Sequence, residues 1–253
     1  MKLLLELAGV PVELDCLHDV CYHAFKPYER APLAEDAPLC RAQVSVSPQR
    51  CAAAAAIYPP ESSEAYVEYM ELCPALSSAL LPFGRVIFHA VAFLWRGRAW
   101  LLTAPSGTGK STHYCQWKLL YGDQLQIING DKPILYTREG EIYVTSSPWT
   151  GKEMMSQRLT APLGGIICLE QAEENRIRRL STREAVGPLY AQFLFDCAGP
   201  EEVHAVCRLE EAMLRRPVWL LENQGDADSA RLCHQTLEDW LAGEHTERTG
   251  ERL

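Results

Sequence analysis

The chain has 253 residues, 47% of them hydrophobic, and its 33 acidic and 24 basic residues give a formal net charge of −9. This composition is typical of a folded protein with a sizeable core and excludes a wholly disordered chain. An acidic surface disfavours DNA, RNA and anionic membranes as main partners. No segment approaches the roughly 18 apolar residues that a membrane helix requires. Glu6 interrupts the apolar start too early for a secretory signal. We therefore expect neither a membrane helix nor a signal peptide.

Ten cysteines are spread along the chain without a C-x-x-C pair, which removes the commonest zinc and redox spacings. One local group combines Cys16, His18, Cys21 and His23, but its spacing matches no standard zinc site, so a structural role is the preferred interpretation. Free thiols in this number are typical of a reducing compartment. We therefore expect a cytoplasmic protein.

Residues 1–82 predict a small N-terminal region that is rich in β-structure. Apolar segments 3–7 and 10–14 flank an Ala-Gly turn and predict a hairpin, and segment 43–47 alternates like a half-buried strand. The alanine run that follows is compatible with a helical turn or a linker. Apolar residues at helical spacing predict a helix over 62–81, which Pro74 should kink or split.

Residues 83–242 predict an α/β domain, and residues 243–253 a polar tail. A tight turn joins the first two strands of this domain, and a glycine-rich loop follows the second strand directly. The predicted strands are 86–94, 99–103, 125–129, 134–137, 141–145, 164–169 and 217–221. The predicted helices are 111–121, 183–195 and 227–241.

The glycine-rich loop, residues 104–112, matches the P-loop pattern G-x-x-x-x-G-K-[ST] except that Ala104 replaces the first glycine. Its two glycines let backbone N–H groups turn towards phosphates without a Cβ in the way. Lys110 supplies charge to the β- and γ-phosphates, Ser111 offers a hydroxyl to Mg²⁺, and the following helix adds its positive end. The pattern therefore predicts binding of ATP with magnesium. The predicted nucleotide ligands are Ser106, Gly107, Thr108, Gly109, Lys110, Ser111 and Thr112.

Magnesium also needs a carboxylate near the end of a neighbouring strand. Asp131 follows the strand 125–129, so one helix and one strand would return it to the rim of the loop. The alternative is that Asp131 is only a turn residue after Gly130. Guanine-reading N-K-x-D, L-S-G-G-Q and the protein-kinase motifs H-R-D and D-F-G are absent from the sequence, which excludes those nucleotide-binding classes.

Five elements follow one another in the order of a known superfamily. They are a histidine before the loop strand, the loop itself, an acidic position after the next strand, a P-W-x-G-K element, and a P-L-x-x-I strand followed by E-N-R-I. They lie at His89, 104–112, Asp131, 148–152 and 162–177. In this combination the chain resembles the small kinase-like members of the HPr kinase/phosphorylase and ATP-dependent phosphoenolpyruvate carboxykinase superfamily. The resemblance implies an α/β fold, with a P-loop core and a mixed sheet of that type behind the β-rich N-terminal region.

The resemblance also suggests roles for single residues. The family has two adjacent aspartates where this chain has Gly130 and Asp131, one acting as base and the other holding metal. Asp131 is then left with one of the two tasks, and His89 is the candidate for the other, because imidazole suits base chemistry. Lys152 is either a cation for the transferring phosphoryl group or a surface lysine. Trp149 either lines the acceptor site or packs in the core.

Two hypotheses for function follow. The first is an ATP- and Mg²⁺-dependent kinase whose acceptor is the hydroxyl of a small molecule or of a serine on a protein or peptide. The second, motivated by Gly130, is a catalytically silent nucleotide-binding partner in regulation or maturation. Carboxykinase chemistry is disfavoured because no arginine arrangement suits a dicarboxylate. The oligomeric state is left open.

Overall fold

The protein has a mixed α/β fold in a computed structural model that describes residues 1–30 and 42–250, with side chains described as far as residue 243. In that part of the chain, a three-stranded sheet precedes a large mixed sheet of ten strands. The strands are β1 (Lys2–Leu7), β2 (Val10–Asp15), β3 (Ala42–Ser45), β4 (Arg85–Phe88), β5 (Val91–Trp95), β6 (Arg98–Thr103), β7 (Gln126–Asn129), β8 (Ile134–Arg138), β9 (Glu141–Thr145), β10 (Thr160–Gln171), β11 (Arg176–Arg179), β12 (Phe193–Leu194) and β13 (Val218–Asn223). The α-helices are α1 (Asp19–Phe25), α2 (Pro48–Ala54), α3 (Glu64–Leu80), α4 (Lys110–Tyr121), α5 (Thr182–Tyr190), α6 (Pro200–Met213) and α7 (Ala227–Gly250).

The N-terminal region confirms the predicted hairpin. β1 and β2 pair antiparallel across Ala8 and Gly9, which both have positive φ angles, and β3 adds to β2 in parallel. The predicted helix is α3, and it continues through Pro74 as one helix, so of the predicted kink or split the split is wrong. Proline removes one backbone hydrogen bond. Burial of Leu72, Leu76 and Leu80 on one face holds the helix together in spite of that loss.

The large sheet is organised around β10, which has two sets of partners. Its first residues pair antiparallel with β9, and the rest pair in parallel with β6 and β13. The strand order is β12-β4-β8-β9-β10-β6-β5-β7, with β13 beside β10 and β11 on the outer side of β13. β5 runs antiparallel to β6 and to β7, so the carboxyl ends of β6, β7 and β10 meet at one edge.

The single strand predicted over 86–94 is two strands. β4 pairs with β8 and β12, whereas β5 pairs with β6 and β7, and the chain crosses between these groups at His89 and Ala90. A continuous apolar run does not reveal such a crossover, because both halves are buried. His89 therefore lies at a break between two strands, and not within one.

Both faces of the β5 and β6 layer are covered. On one face, α4 and α7 pack through aromatic side chains such as Trp117, Trp95 and Trp100. On the other face, alanine and leucine residues of β5 and β6 join a cluster with β4, β8, β9, α5 and α6. Successive side chains of β5 and β6 point to opposite faces, and both faces are packed. The loop after β6 therefore leaves a rigid layer.

The N-terminal region is joined to the rest by a shared core and by an ion cluster. Trp149 is 1% exposed, packs against Phe25 at a ring-centroid distance of 5.1 Å, and donates a hydrogen bond to the carbonyl of Tyr69 at 2.9 Å. Arg50 contacts Asp196 through two nitrogens at 2.6 and 2.9 Å. Trp149 is therefore a core residue, which decides between the two roles that the sequence left open for it.

Later elements differ from expectation in extent. The predicted helix 183–195 ends at Tyr190, α6 was not predicted, and α7 continues past residue 241 as far as Gly250. Residues 251–253 of the predicted tail lie outside the described residues. No helix in the described ranges has the length and apolarity needed to cross a membrane.

Helix α4 contains a buried histidine that makes the fold sensitive to acid. His113 is 0% exposed and accepts a hydrogen bond from Trp117 Nε1 at 3.2 Å. Burial lowers the pKa of His113 from 6.5 to about 4, with Asp226 partly opposing this decrease. The unfolded chain therefore binds more protons between these pH values, and stability falls as the pH drops below 6.5.

We expect the free energy of unfolding to decrease between pH 7.5 and pH 5 because His113 must be protonated on unfolding. The contribution of this residue is about 2 kcal/mol over that interval. Urea unfolding of the wild type and of His113→Gln at both pH values measures it. The variant should show a weaker pH dependence, and an unchanged dependence would contradict the assignment.

Candidate functional site

The glycine-rich loop connects the end of β6 to the start of α4, which is the predicted strand–loop–helix order. Gly107 and Gly109 have φ angles of +83° and +105°, in a region that other residues rarely adopt. A Cβ at either position would meet no atom within 4 Å, so these glycines are required by backbone conformation and not by crowding. The loop consequently presents backbone to an open space.

Lys110 is the first residue of α4, and its side chain turns back over the loop. Nζ donates hydrogen bonds to the carbonyls of Ala104 at 2.8 Å and Pro105 at 3.3 Å, and the residue is 8% exposed. Burial lowers the pKa of this ammonium below its usual 10.5, while the charge of Asp131 opposes the decrease. No carboxylate among the described residues forms an ion pair with it, so the loop holds a buried cation without a contacting anion.

The start of α4 supplies further anion-binding groups. Its N-cap is Gly109, and no side chain of the described residues caps the helix. The first N–H groups of a helix have no partners within it, and they carry the positive end of its dipole. Ser111 is half-buried and Thr112 is exposed in this first turn. With Ser106 and Thr108 on the loop, these groups surround a place that suits phosphate oxygens.

Asp131 lies directly after β7, at the same edge of the sheet. Asn129 orients this turn, because its Oδ1 accepts hydrogen bonds from the backbone N–H groups of Asp131 at 2.9 Å and Lys132 at 2.7 Å. The carboxylate contacts His89 Nε2 at 3.3 Å and forms an ion pair with Lys132 Nζ. Burial opposes ionisation of Asp131, but His89 and Lys132 outweigh it and lower the pKa of this carboxyl below its usual 3.8.

His89 is fixed from both sides of its ring. Nε2 faces Asp131, and Nδ1 lies 3.1 Å from Gln192 Oε1, while the His89 N–H donates to the Gln192 carbonyl at 2.9 Å. Thr103, the last residue of β6, donates its hydroxyl to the His89 carbonyl at 2.9 Å. Because both ring nitrogens have partners, His89 is placed to orient Asp131.

Two functional candidates were not recognised in the sequence. Lys132 is 13% exposed in its side chain and is the cation nearest to the Asp131 carboxylate. The signal that would have identified it is its position directly after Asp131 at the end of a buried strand. Gln192 lies 103 residues after His89, and nothing local in the sequence connects the two.

Gly130 is enforced by the segment that passes over it. A Cβ on Gly130 would lie 2.6 Å from the Thr150 carbonyl oxygen and 3.1 Å from that of Met155. The Gly130 N–H donates to the Met155 carbonyl at 2.9 Å, and a Cβ on Gly151 would lie 3.1 Å from the Asp131 Cβ. A side chain at position 130 would therefore collide with segment 149–155, which passes directly over Gly130.

The predicted Lys152 lies on the turn of this covering segment, one residue after Gly151, with an exposed side chain. The backbone of the turn is close to Asp131, while the ammonium is held by no ion pair among the described residues. On the other side of the loop, a cavity of about 520 Å³ is lined by Pro105, Thr108 and Gln192, among others. The loop thus has free space beside it.

The donor atoms fit a magnesium ion that is carried by a nucleotide. No group of three or more His, Cys, Asp or Glu side chains in the described part of the chain could hold a metal alone. Mg²⁺ usually keeps several waters and takes one or two protein oxygens together with substrate phosphates. The Ser111 hydroxyl and the Asp131 carboxylate are donors of that kind.

No protein-family model matches the chain, and no curated protein sequence matches it. Among solved structures, the HPr(Ser) kinase/phosphatase from Coxiella burnetii is similar, with a TM-score of 0.42 and 9% sequence identity. The match covers 66% of this chain and 96% of that chain. A likeness at this level establishes neither a reaction nor a substrate.

We expect Gly130→Ala and Gly130→Asp to lower the free energy of unfolding, because the new Cβ would collide with the backbone of Thr150. Overpacking of this kind costs about 1–3 kcal/mol. Gly243→Ala is the control, since Gly243 lies in α7 and a Cβ added there would meet no atom within 4 Å. Alanine at that position should stabilise the protein by about 1 kcal/mol. Denaturant unfolding measures all three variants, and wild-type stability in both Gly130 variants would refute the steric explanation.

Proposed function

We propose that this protein is an ATP- and Mg²⁺-dependent kinase that transfers the γ-phosphate to a hydroxyl group. The observation that supports this most directly is that a lysine and an aspartate lie at the same edge of the sheet. Lys110 is a buried cation at a helix N-terminus, and Asp131 is a carboxylate whose charge is maintained by its neighbours. Phosphoryl transfer needs both, one for the phosphates and one for the accepting hydroxyl.

In this proposal, residues 106–112 hold the triphosphate through backbone N–H groups, and Lys110 moves from the loop carbonyls to the β- and γ-phosphates. Lys110 would then exchange two neutral carbonyl acceptors for charged phosphate oxygens, and hydrogen bonds between charged groups are stronger. Ser111 would hold Mg²⁺ together with phosphate oxygens, and the ion would neutralise phosphate charge when bound. Asp131 is then left for the other task, that of base. The proposed nucleotide site supports a cytoplasmic location, because ATP is available in the cytoplasm.

Asp131 is the proposed base for the accepting hydroxyl. His89 positions the carboxylate through Nε2, and Gln192 fixes the other ring nitrogen at 3.1 Å. Lys132 keeps the carboxylate ionised and adds a cation near the transferring group. Lys152 reaches the phosphoryl group only if its turn bends inwards, so we assign it a supporting role in stabilising the negative charge of the transition state.

A second function is favoured by one specific observation. Asp131 is the single carboxylate after β7, and it already contacts both His89 and Lys132. A carboxylate held in this way is less available to metal and to a substrate proton. The alternative is therefore a protein that binds nucleotide without transferring phosphate and acts as a regulatory or maturation partner.

A transfer assay separates these two functions. Wild-type protein is incubated with radiolabelled ATP, Mg²⁺ and a pool of serine peptides, polyols and sugars, and label on the acceptor is measured. We expect transfer by the wild type, and loss of transfer with ATP binding weakened roughly tenfold or more in Lys110→Ala. Tight ATP binding by the wild type without transfer to any acceptor would refute the kinase and support the silent partner.

Asp131→Asn should lower kcat roughly 100-fold or more, because it removes the proposed base and keeps the shape of the side chain. His89→Gln should lose less activity than His89→Ala, since glutamine can still donate a hydrogen bond to Asp131. Steady-state kinetics and Mg²⁺-dependent ATP binding measure these effects. Unchanged rate and Mg²⁺-dependent affinity in Asp131→Asn would remove this residue from the site, and wild-type turnover in both His89 variants would make His89 purely structural.

A further inference from the structure

A groove runs along the seam between the N-terminal region and the segment that covers Asp131. We call it the seam groove, and its walls are α1 with the turn that follows, the first turns of α3, and residues 148–158. We propose that it binds the phosphate acceptor, and that the acceptor is a peptide segment with an apolar residue and a carboxylate beside the accepting serine or threonine. This inference rests on the proposed kinase function and specifies its substrate.

The seam groove has a volume of about 610 Å³, which is enough for several side chains. Its surface is mainly apolar and aromatic. Val20, Tyr66 and Met154 line it and are 67%, 44% and 81% exposed, so three of the most exposed large apolar residues in the described chain share one surface. Large apolar side chains grouped in this way indicate a binding surface.

Two of the three tyrosines that line the groove offer ring faces and not hydroxyl protons. Tyr28 donates its hydroxyl to the Ser147 carbonyl at 2.6 Å, and Tyr69 donates to the Pro148 carbonyl at 3.0 Å. Both hydroxyl protons are therefore used in fixing the covering segment. A hydroxyl group of a sugar or polyol placed against these two rings would find no hydroxyl donor on them, which costs binding free energy. An apolar side chain loses nothing in the same place.

Arg158 gives the groove its charge. It is the only charged residue among the described residues that line the groove. Its guanidinium lies over the Tyr28 ring at 4.7 Å and forms no ion pair with the described residues. A guanidinium stacked on an aromatic face is oriented, and its N–H groups remain available for a carboxylate. The rest of the protein is strongly acidic, since the whole chain carries a net charge of −9, so this cation favours an acidic ligand locally.

The groove is adjacent to the proposed catalytic carboxylate. Gly151 lines it, and a Cβ on Gly151 would be 3.1 Å from the Asp131 Cβ. Tyr69 also lines it; burial raises the pKa of Tyr69, and the charge of Asp131 adds to the increase. A chain bound in the groove therefore passes close to Asp131.

Met154 marks the rim of the groove nearest to Lys152. It has a φ angle of +50°, which is uncommon for a residue with a side chain, and it is exposed. An exposed apolar residue in a strained turn gains nothing from the fold alone. Contact with an apolar side chain of the acceptor explains its presence, as strained residues cluster where ligands bind.

The test uses a library of fluorescent peptides with one fixed serine and flanking positions occupied in turn by Phe, Leu, Asp, Lys or Asn. Fluorescence anisotropy with a non-hydrolysable ATP analogue measures binding, and radiolabelled ATP measures transfer. Glycerol and glucose are the small hydroxyl probes. The variants are Met154→Asp and Arg158→Glu, with Leu119→Asp and Arg215→Glu as matched controls, because Leu119 and Arg215 are exposed and do not line the groove.

We expect the wild type to prefer peptides that carry Phe or Leu together with Asp. Met154→Asp should weaken the binding of peptides with Phe or Leu roughly tenfold, and Arg158→Glu should reverse the preference from Asp to Lys. ATP affinity should be unchanged in all four variants, and both controls should bind peptides like the wild type.

The outcomes separate this inference from the proposed function. Binding with these preferences but without transfer supports the seam groove and refutes the kinase. Transfer that neither groove variant alters supports the kinase and overturns the seam groove as its acceptor site. The inference is also overturned if the wild type binds no peptide, if glycerol or glucose is the acceptor, or if the groove mediates self-association that Met154→Asp abolishes.

Discussion

The site depends on keeping one partly buried carboxylate charged. Burial alone would favour the neutral form of Asp131, and two contacts reverse this tendency, one from His89 and one from Lys132. These neighbours come from different places in the chain, since His89 lies at the crossover between β4 and β5 and Lys132 follows β7. The backbone N–H of Ala90 also donates to the Asp131 carbonyl at 2.9 Å. The crossover between β4 and β5 therefore fixes the position of the Asp131 carboxylate.

The same compactness leaves no room for a side chain at position 130. Segment 149–155 lies so close to Gly130 that only a hydrogen atom fits between the Gly130 Cα and the segment. An aspartate at position 130 would have to displace the backbone of Thr150. Lys132 forms an ion pair with the carboxylate that is present and lowers its pKa. The glycine is thus part of how the covering segment is held.

Local patterns predicted the local parts of this structure. The loop with Gly107 and Gly109, the helix it opens and the hairpin of β1 and β2 follow from short-range conformational requirements that a sequence displays directly. The break at His89, the contact of Gln192 with it, and the uninterrupted α3 depend on pairings across more than a hundred residues or on burial, and no periodicity reports them. Lys110 was recognised because a motif surrounds it, whereas Lys132 has a role only once Asp131 is seen to be partly buried.

The structure ties the N-terminal region to the candidate site through hydrogen bonds. Trp149 connects them, because its indole N–H donates to Tyr69 in α3 while its carbonyl accepts from the Lys132 N–H at 3.2 Å. A displacement of α3 would therefore be transmitted to the turn that holds Asp131. Since α3 is also a wall of the seam groove, a ligand that presses on this helix acts on the same turn. If the seam groove binds the acceptor as proposed, its binding and the placement of the carboxylate are mechanically coupled through α3 and Trp149.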